Sequence, residues 1–116
     1  MTKEEELNKI NMILDHNKHK SFVKRILEPE KYPKLDRGKG VYSTHSMAWG
    51  ETGPKDKRVY HVFPTVFYDK KNNKLVDYSN RKPMNNALRH NQTIHFKTAE
   101  EADWFSKNYK KVWDKK

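Results

Sequence analysis

Apolar and polar positions alternate with two different periods along the chain, and the difference separates helical from extended stretches. The most apolar run is Arg58-Val59-Tyr60-His61-Val62-Phe63-Pro64-Thr65-Val66-Phe67-Tyr68-Asp69. Val, Phe and Tyr fit a pleated, packed surface. Here they occupy both parities, with Tyr60, Val62, Val66 and Tyr68 on one and Val59, Phe63 and Phe67 on the other. A strand that is apolar on both faces is normally covered on both, so this run is the expected central strand. Pro64 interrupts it. Proline donates no ladder hydrogen bond, and a bulge or a free edge is expected there.

The other elements follow from the same reading. Leu7, Ile10, Ile13 and Leu14 recur at helical spacing behind Thr2-Lys3-Glu4-Glu5, a capping-box sequence. The resulting helix of about three turns has one narrow apolar stripe. It needs a surface to lie on, either its own domain or another subunit. Ser21 is the expected cap of a second short helix through Phe22, Val23, Ile26 and Leu27. Glu28-Pro29 ends it, because the residue before proline is pushed out of helical geometry. Pro29 to Gly40 mixes prolines and glycines with charged residues and reads as a surface loop.

Val41 to Trp49 alternates and reads as one strand, with Val41, Ser43, His45, Met47 and Trp49 facing inward. A turn containing Gly53-Pro54 joins it to the central strand as an antiparallel hairpin. Lys70 to Asn73 is a second turn, followed by a third strand from Lys74 to Tyr78. Pro83 opens a helix with Met84, Ala87 and Leu88 on one face, and Asn91 suits its left-handed end. Ile94 and Phe96 lie on one side of a short strand. Thr98-Ala99-Glu100-Glu101 is a second capping box. Behind it, Ala102, Phe105, Tyr109, Val112 and Trp113 share one helix face, expected to cover a sheet. The expected fold is therefore α+β: a small, mostly antiparallel sheet packed against a C-terminal amphipathic helix, with N-terminal helices alongside. Residues 1–18 are the expected helical attachment segment and residues 19–116 the single domain.

Composition qualifies this picture. Hydrophobic residues are 34% of the chain and mean hydropathy is −1.21, which would leave a thin aliphatic core. Three Trp, six Tyr and five Phe compensate, since each buries a large area, and a folded domain is expected rather than a disordered chain. The absence of cysteine excludes disulfides and thiolate metal sites. Met1 to Leu14 is unlike a signal peptide, and no apolar run approaches the roughly 20 residues of a membrane span. A soluble protein is expected. Net charge is +10, and residues 39–97 carry most of it, with eleven Lys or Arg against four Asp or Glu. That excess favours an anionic neighbour such as nucleic acid, an acidic protein or anionic lipid. The plainer reading is a solvated lysine-rich surface.

Few residues offer catalytic chemistry. His45, His61 and His95 fall on three expected strands and could converge on zinc. Their spacing matches no metal motif, and histidines bonded to neighbours on a half-polar sheet face are the simpler reading. Neither a metal nor a cofactor is expected. Ser43-Thr44-His45 with Glu51 and His61 lacks the sharp turn and oxyanion hole of a serine triad, so no catalytic residues are assigned and no enzyme is expected. Lys70, Lys71, Lys74, Arg81, Lys82 and Arg89 gather around the second turn and the third helix. They suit contact with phosphates or an acidic partner, with Tyr68 or Tyr78 stacking a base. An ordinary solvated turn would look the same.

Several motifs resemble a small domain of tailed bacteriophages. They are Phe22-Val23-Lys24-Arg25-Ile26-Leu27, Ser43-Thr44-His45-Ser46-Met47-Ala48, Val62-Phe63-Pro64-Thr65-Val66 and Ile94-His95-Phe96. The ending Glu100-Glu101-Ala102-Asp103-Trp104-Phe105, running on to Trp113, fits as well. The similarity covers residues 19–113. In that family the domain occurs alone or within larger virion-associated proteins, some of which also carry peptidase or cell-wall-hydrolase domains. The resemblance implies no catalytic role for the domain itself. It leads to the expectation of a non-enzymatic virion component, a structural or packaged protein of capsid or tail. It would bind other virion proteins and, through its basic middle, DNA. Its expected location is the virion, and the host cytoplasm during assembly. The alternatives are a nucleic-acid-binding accessory protein made in the infected cell and an accessory domain assisting cell-wall degradation. The residues also allow a structural reading of the motif. On it, Ser43, Thr44 and His45 lie on the strand opposite Pro64 and bond the backbone groups that proline leaves unpaired. The helix within Met1–Lys18 lies outside the resemblance.

Overall fold

The computed structural model describes residues 2–38, 41–43 and 46–115, with residues 36–38, 41–43, 114 and 115 described as backbone alone. The elements in order are α1 (Lys3–His16), α2 (Ser21–Leu27), a 3-10 turn (Pro29–Lys31), β1 (Leu35–Gly38), β2 (Val41–Ser43), β3 (Met47–Thr52), β4 (Val59–Pro64), β5 (Val66–Asp69), β6 (Lys74–Asp77), α3 (Pro83–Arg89), β7 (Ile94–Phe96), α4 (Ala99–Asn108) and a 3-10 tail (Tyr109–Lys115). The fold is α+β, with every described ladder antiparallel: β3-β4-β7, β5-β6 and β1-β2.

Register in the three-stranded sheet fixes what each face carries. Trp49 pairs with Val62, Val62 with Ile94, and Tyr60 with Phe96, so these side chains share one face. Gly50, His61 and His95 share the other. α4 lies on the first face, where Phe105 is fully buried with its ring 5.5 Å from that of Phe96. Trp49 ties strand to helix by donating its indole N–H to Asp103 at 3.0 Å. α3 crosses the second face at β4, and Met84 Sδ fills the space that a side chain at Gly50 would need. The central strand is thus covered on both faces: Val62 and Phe63, of opposite parity, are both buried.

The N-terminal helices close the core. Both halves of the Thr2/Glu5 capping box form, and α1 runs for 14 residues, a little longer than its sequence stripe suggests. Leu7, Ile10 and Leu14 are buried, and the last two join Phe22, Val23 and Ile26 of α2 in the cluster built around Phe105 and Tyr109. Each such side chain contributes about 1.5–3 kcal/mol. The surface that α1 needed is therefore its own chain. Its outer face is polar except for the exposed Met12.

The structure corrects four expectations. Ser21 does not cap α2: the cap position is Lys20, which makes no side-chain cap bond, and Ser21 is the first helical residue. Pro29–Gly40 is not a loop throughout, because β1 pairs with β2 within and beyond it. Val41–Trp49 is two strands in two different sheets, β2 and β3. The Arg58–Asp69 run is likewise two strands. It breaks at Thr65, whose N–H donates to the Ser46 carbonyl at 2.8 Å and whose carbonyl accepts from the Tyr78 N–H at 2.7 Å. Pro64 ends β4 opposite Met47, at the last rung of the ladder, where a missing donor disturbs least. Separately, the C-terminal helix is α-helical to Asn108 and then tightens into a 3-10 tail. That tail still places Tyr109 in the core.

Candidate functional site

The six cations singled out from the sequence are all exposed. Lys70, Lys71 and Lys74 stand at the tip of the β5–β6 hairpin, where Asn73 takes the left-handed conformation (φ 49°) expected of that turn. Arg81 and Lys82 follow the base of the same hairpin, and Arg89 ends α3. Tip and base are separated by four residues of strand, about 13 Å. The cations therefore form a string along one hairpin and onto α3. Among the described residues none of the six is in an ion pair. Lys74 does face Asp69 across the ladder and helps to hold that carboxyl below its ordinary pKa, after the larger effects of its hydrogen bonds to Asn72.

Between the base of that hairpin, α2 and α3 lies a groove of about 430 Å³. Phe67, Tyr68 and Tyr78 form its aromatic wall, and Asn86, His90 and Gln92 face them. The Phe67 and Tyr78 rings meet edge to face at 4.9 Å, and the Arg81 guanidinium stands over the Tyr78 ring at 5.7 Å. Phe22 and Arg25 of α2 line the remaining side. Arg25 is only 2% exposed and donates from Nη2 to the Val66 carbonyl at 2.6 Å, fastening α2 to the start of β5. Burial lowers its pKa to about 10, with the phenols of Tyr32 and Tyr109 opposing the shift, so it remains charged at neutral pH. The same burial raises the Tyr109 phenol. Gln92 Oε1 accepts the N–H of Phe22 at 3.0 Å, in the first turn of α2, and its amide donates to the His90 carbonyl.

Sequence reasoning picked out Tyr68 and Tyr78 but missed Arg25, Asn86, His90 and Gln92. Arg25 left a signal, since it sits three residues after Phe22, on the apolar side of α2. Gln92 left none. Its position depends on the left-handed Asn91 (φ 55°), which turns the chain back toward α2.

The histidines are partly brought together. His61 and His95 are direct cross-strand partners on the α3 side of the sheet. His61 Nε2 meets Thr52 Oγ1 at 2.6 Å and His95 Nε2 meets Thr93 Oγ1 at 3.1 Å. His61 is buried, and its Nδ1 has no hydrogen-bond partner among the described residues. A hydroxyl beside an imidazole looks like two members of a triad. Among the described residues, however, no carboxylate orients the ring from the other nitrogen, and the ring itself is closed to a substrate. Burial lowers the pKa of both imidazoles. His61 is lowered further by His95, and His95 by Lys20, whose ammonium donates to the Thr93 carbonyl. Among the described residues no three His, Asp or Glu converge as metal ligands.

The motif around Pro64 is arranged differently from the expectation. Thr44 and His45 lie outside the described residues, and Ser43 pairs with Leu35 of β1, so the residue opposite Pro64 is Met47. The motif residues that serve this joint are Ser46 and Thr65, through the backbone bond given above and a longer one from Thr65 Oγ1 to the Ser46 carbonyl at 3.4 Å. Among the described residues no helix is long and apolar enough to cross a membrane. In comparisons with known proteins, no protein-family description, no curated protein and no solved structure matches the chain.

Proposed function

We propose that the chain is a non-enzymatic bacteriophage virion component, held in capsid or tail by another virion protein and turning its basic surface toward DNA. The virion half of the reading is supported by the resemblance over residues 19–113. The DNA half is supported by one observation of geometry: Lys70, Lys71, Lys74, Arg81, Lys82 and Arg89 are all exposed, and none is neutralised by an ion pair with a described residue. Exposed, unneutralised cations strung along a surface suit a polyanion, from which they release counterions.

The test is the protein inventory of purified particles by mass spectrometry. A virion component appears at fixed copy number. Its absence from particles, with abundance in infected cells, overturns this reading in favour of a nucleic-acid-binding accessory protein, which would use the same surface.

A further inference from the structure

The groove between α2, the β5–β6 hairpin and α3 combines features that a smooth basic surface lacks. Its wall has aromatic rings, its opposite side has two carboxamides and an imidazole, and a buried guanidinium adjoins them. About 430 Å³ accommodates one nucleobase with its sugar. We propose that this groove holds one unstacked nucleotide of a single-stranded nucleic acid, with its base on Tyr78 and its phosphate toward Arg81 and Lys82. This deepens the DNA half of the function proposed above and rests on it.

Tyr78 stands on the wall of the groove. Its backbone is fixed by the N–H bond to Thr65 and its edge by Phe67, so the ring is held in place before any ligand arrives. Arg81 occupies the ring face, the position a base would take. An exposed guanidinium leaves that face at small cost and is then free for the phosphate that accompanies the base. The rings are sequence-tolerant, because every base has a π-face. Asn86 brings a carboxamide that makes no hydrogen bond with a described residue, and a carboxamide is suited to the polar edge of a base. A duplex offers no such base, since its bases are stacked and paired. An acidic peptide would engage the cations but has no use for an aromatic wall.

The experiment is a titration of the full chain with short fluorescein-labelled oligothymidylate, followed by anisotropy. The same sequence in duplex form and a polyglutamate peptide serve as competitors. The single strand should bind more tightly than the duplex. Tyr78→Ala should weaken it by about 5- to 150-fold, the range of one lost stacking contact, whereas Tyr78→Phe should bind nearly as the parent. Arg81→Ala should lower the slope of log affinity against log salt by about 1. Arg58→Ala, in the turn before β4 where Arg58 pairs with Glu51, should change little. If Tyr78→Ala does not fold, Asn86→Ala replaces it and should weaken single-strand binding without changing the salt slope.

Three results overturn the proposal. One is no binding at low salt. Another is binding that neither Tyr78→Ala nor Asn86→Ala weakens, which moves the contact to the open surface. The third is displacement by polyglutamate as effective as by unlabelled single strand, which makes an acidic protein segment the occupant. The particle inventory is independent of all three, so this inference and the virion reading can fail separately.

Discussion

His61 and His95 stand opposite each other on β4 and β7, with ring centroids 4.6 Å apart and planes at 85°. Thr52 holds one ring, Thr93 the other, and the Lys20 ammonium is bonded beside them. Both imidazoles have folded-state pKa values below the ordinary 6.5. At acid pH the unfolded chain therefore binds more protons than the folded one. The stability contributed by these neutral rings is complete above about 6.5 and is lost as pH falls through the lower folded values. Urea midpoints should drop between pH 7.5 and 5.5, and His61→Gln should flatten that drop. A midpoint equally steep in the variant would place the effect on other groups.

Trp113 reaches from the 3-10 tail to α2, donating its indole N–H to the Ile26 carbonyl at 2.7 Å. That carbonyl lies in the last turn of α2, where no helical N–H is available for it. Trp113→Phe should cost about 1 kcal/mol, for the lost bond alone. Trp113→Ala should cost about 3 kcal/mol or more, because the ring is packed against the core. Denaturant unfolding of the two variants separates the bond from the packing.

Two glycines of the β3–β4 hairpin should respond differently to alanine. Gly53 has φ +92°, and a Cβ there would meet the Lys57 carbonyl oxygen at 2.7 Å. Both faults lie in backbone, so Gly53→Ala should cost about 1–2 kcal/mol. A Cβ at Gly50 would meet Met84 Sδ at 2.6 Å, the movable end of a long side chain. Gly50→Ala should cost less, and Met84→Ala should relieve what it costs. A double-mutant cycle checks the coupling.

α1 tests the attachment role proposed for residues 1–18. Ile10 is fully buried, so Ile10→Ala should cost about 3 kcal/mol. Deletion of 1–18 should abolish cooperative unfolding, because Phe22, Val23 and Ile26 lose their cover. Met12 is 65% exposed, and Met12→Glu should change stability by less than about 0.5 kcal/mol. If α1 is also the attachment surface, Met12→Glu should nevertheless reduce the amount of protein recovered in particles.

Elements whose signal is local were legible in the sequence. The face of Ala102, Phe105 and Tyr109, which runs from α4 into the 3-10 tail, could be found by spacing, and both capping threonines do accept the N–H they were expected to accept. The division of strands was not legible. β4 and β5 carry the same residue types, and the break between them is set by backbone bonds from Thr65 to Ser46 and Tyr78, both distant in sequence. β1 was hidden because Asp36, Arg37 and Gly38 show no apolar alternation. The cations were visible as a charge excess, but their layout along a hairpin and the groove beside its base depend on register. Arg25 left its spacing after Phe22 as a sign, but a cation inside an apolar core runs against composition, and its bond to the distant Val66 carbonyl is not visible in the sequence.

Lys111 bonds Glu6 at 2.9 Å, which brings the first helix and the final turns side by side. The start of α1 and the 3-10 tail are thus neighbours. A larger protein can accommodate such a unit within a single surface loop, without rearranging its own interior. A short linker between the two ends, with new termini opened at Gly53–Lys57, would give a circular permutant that keeps the same packed centre.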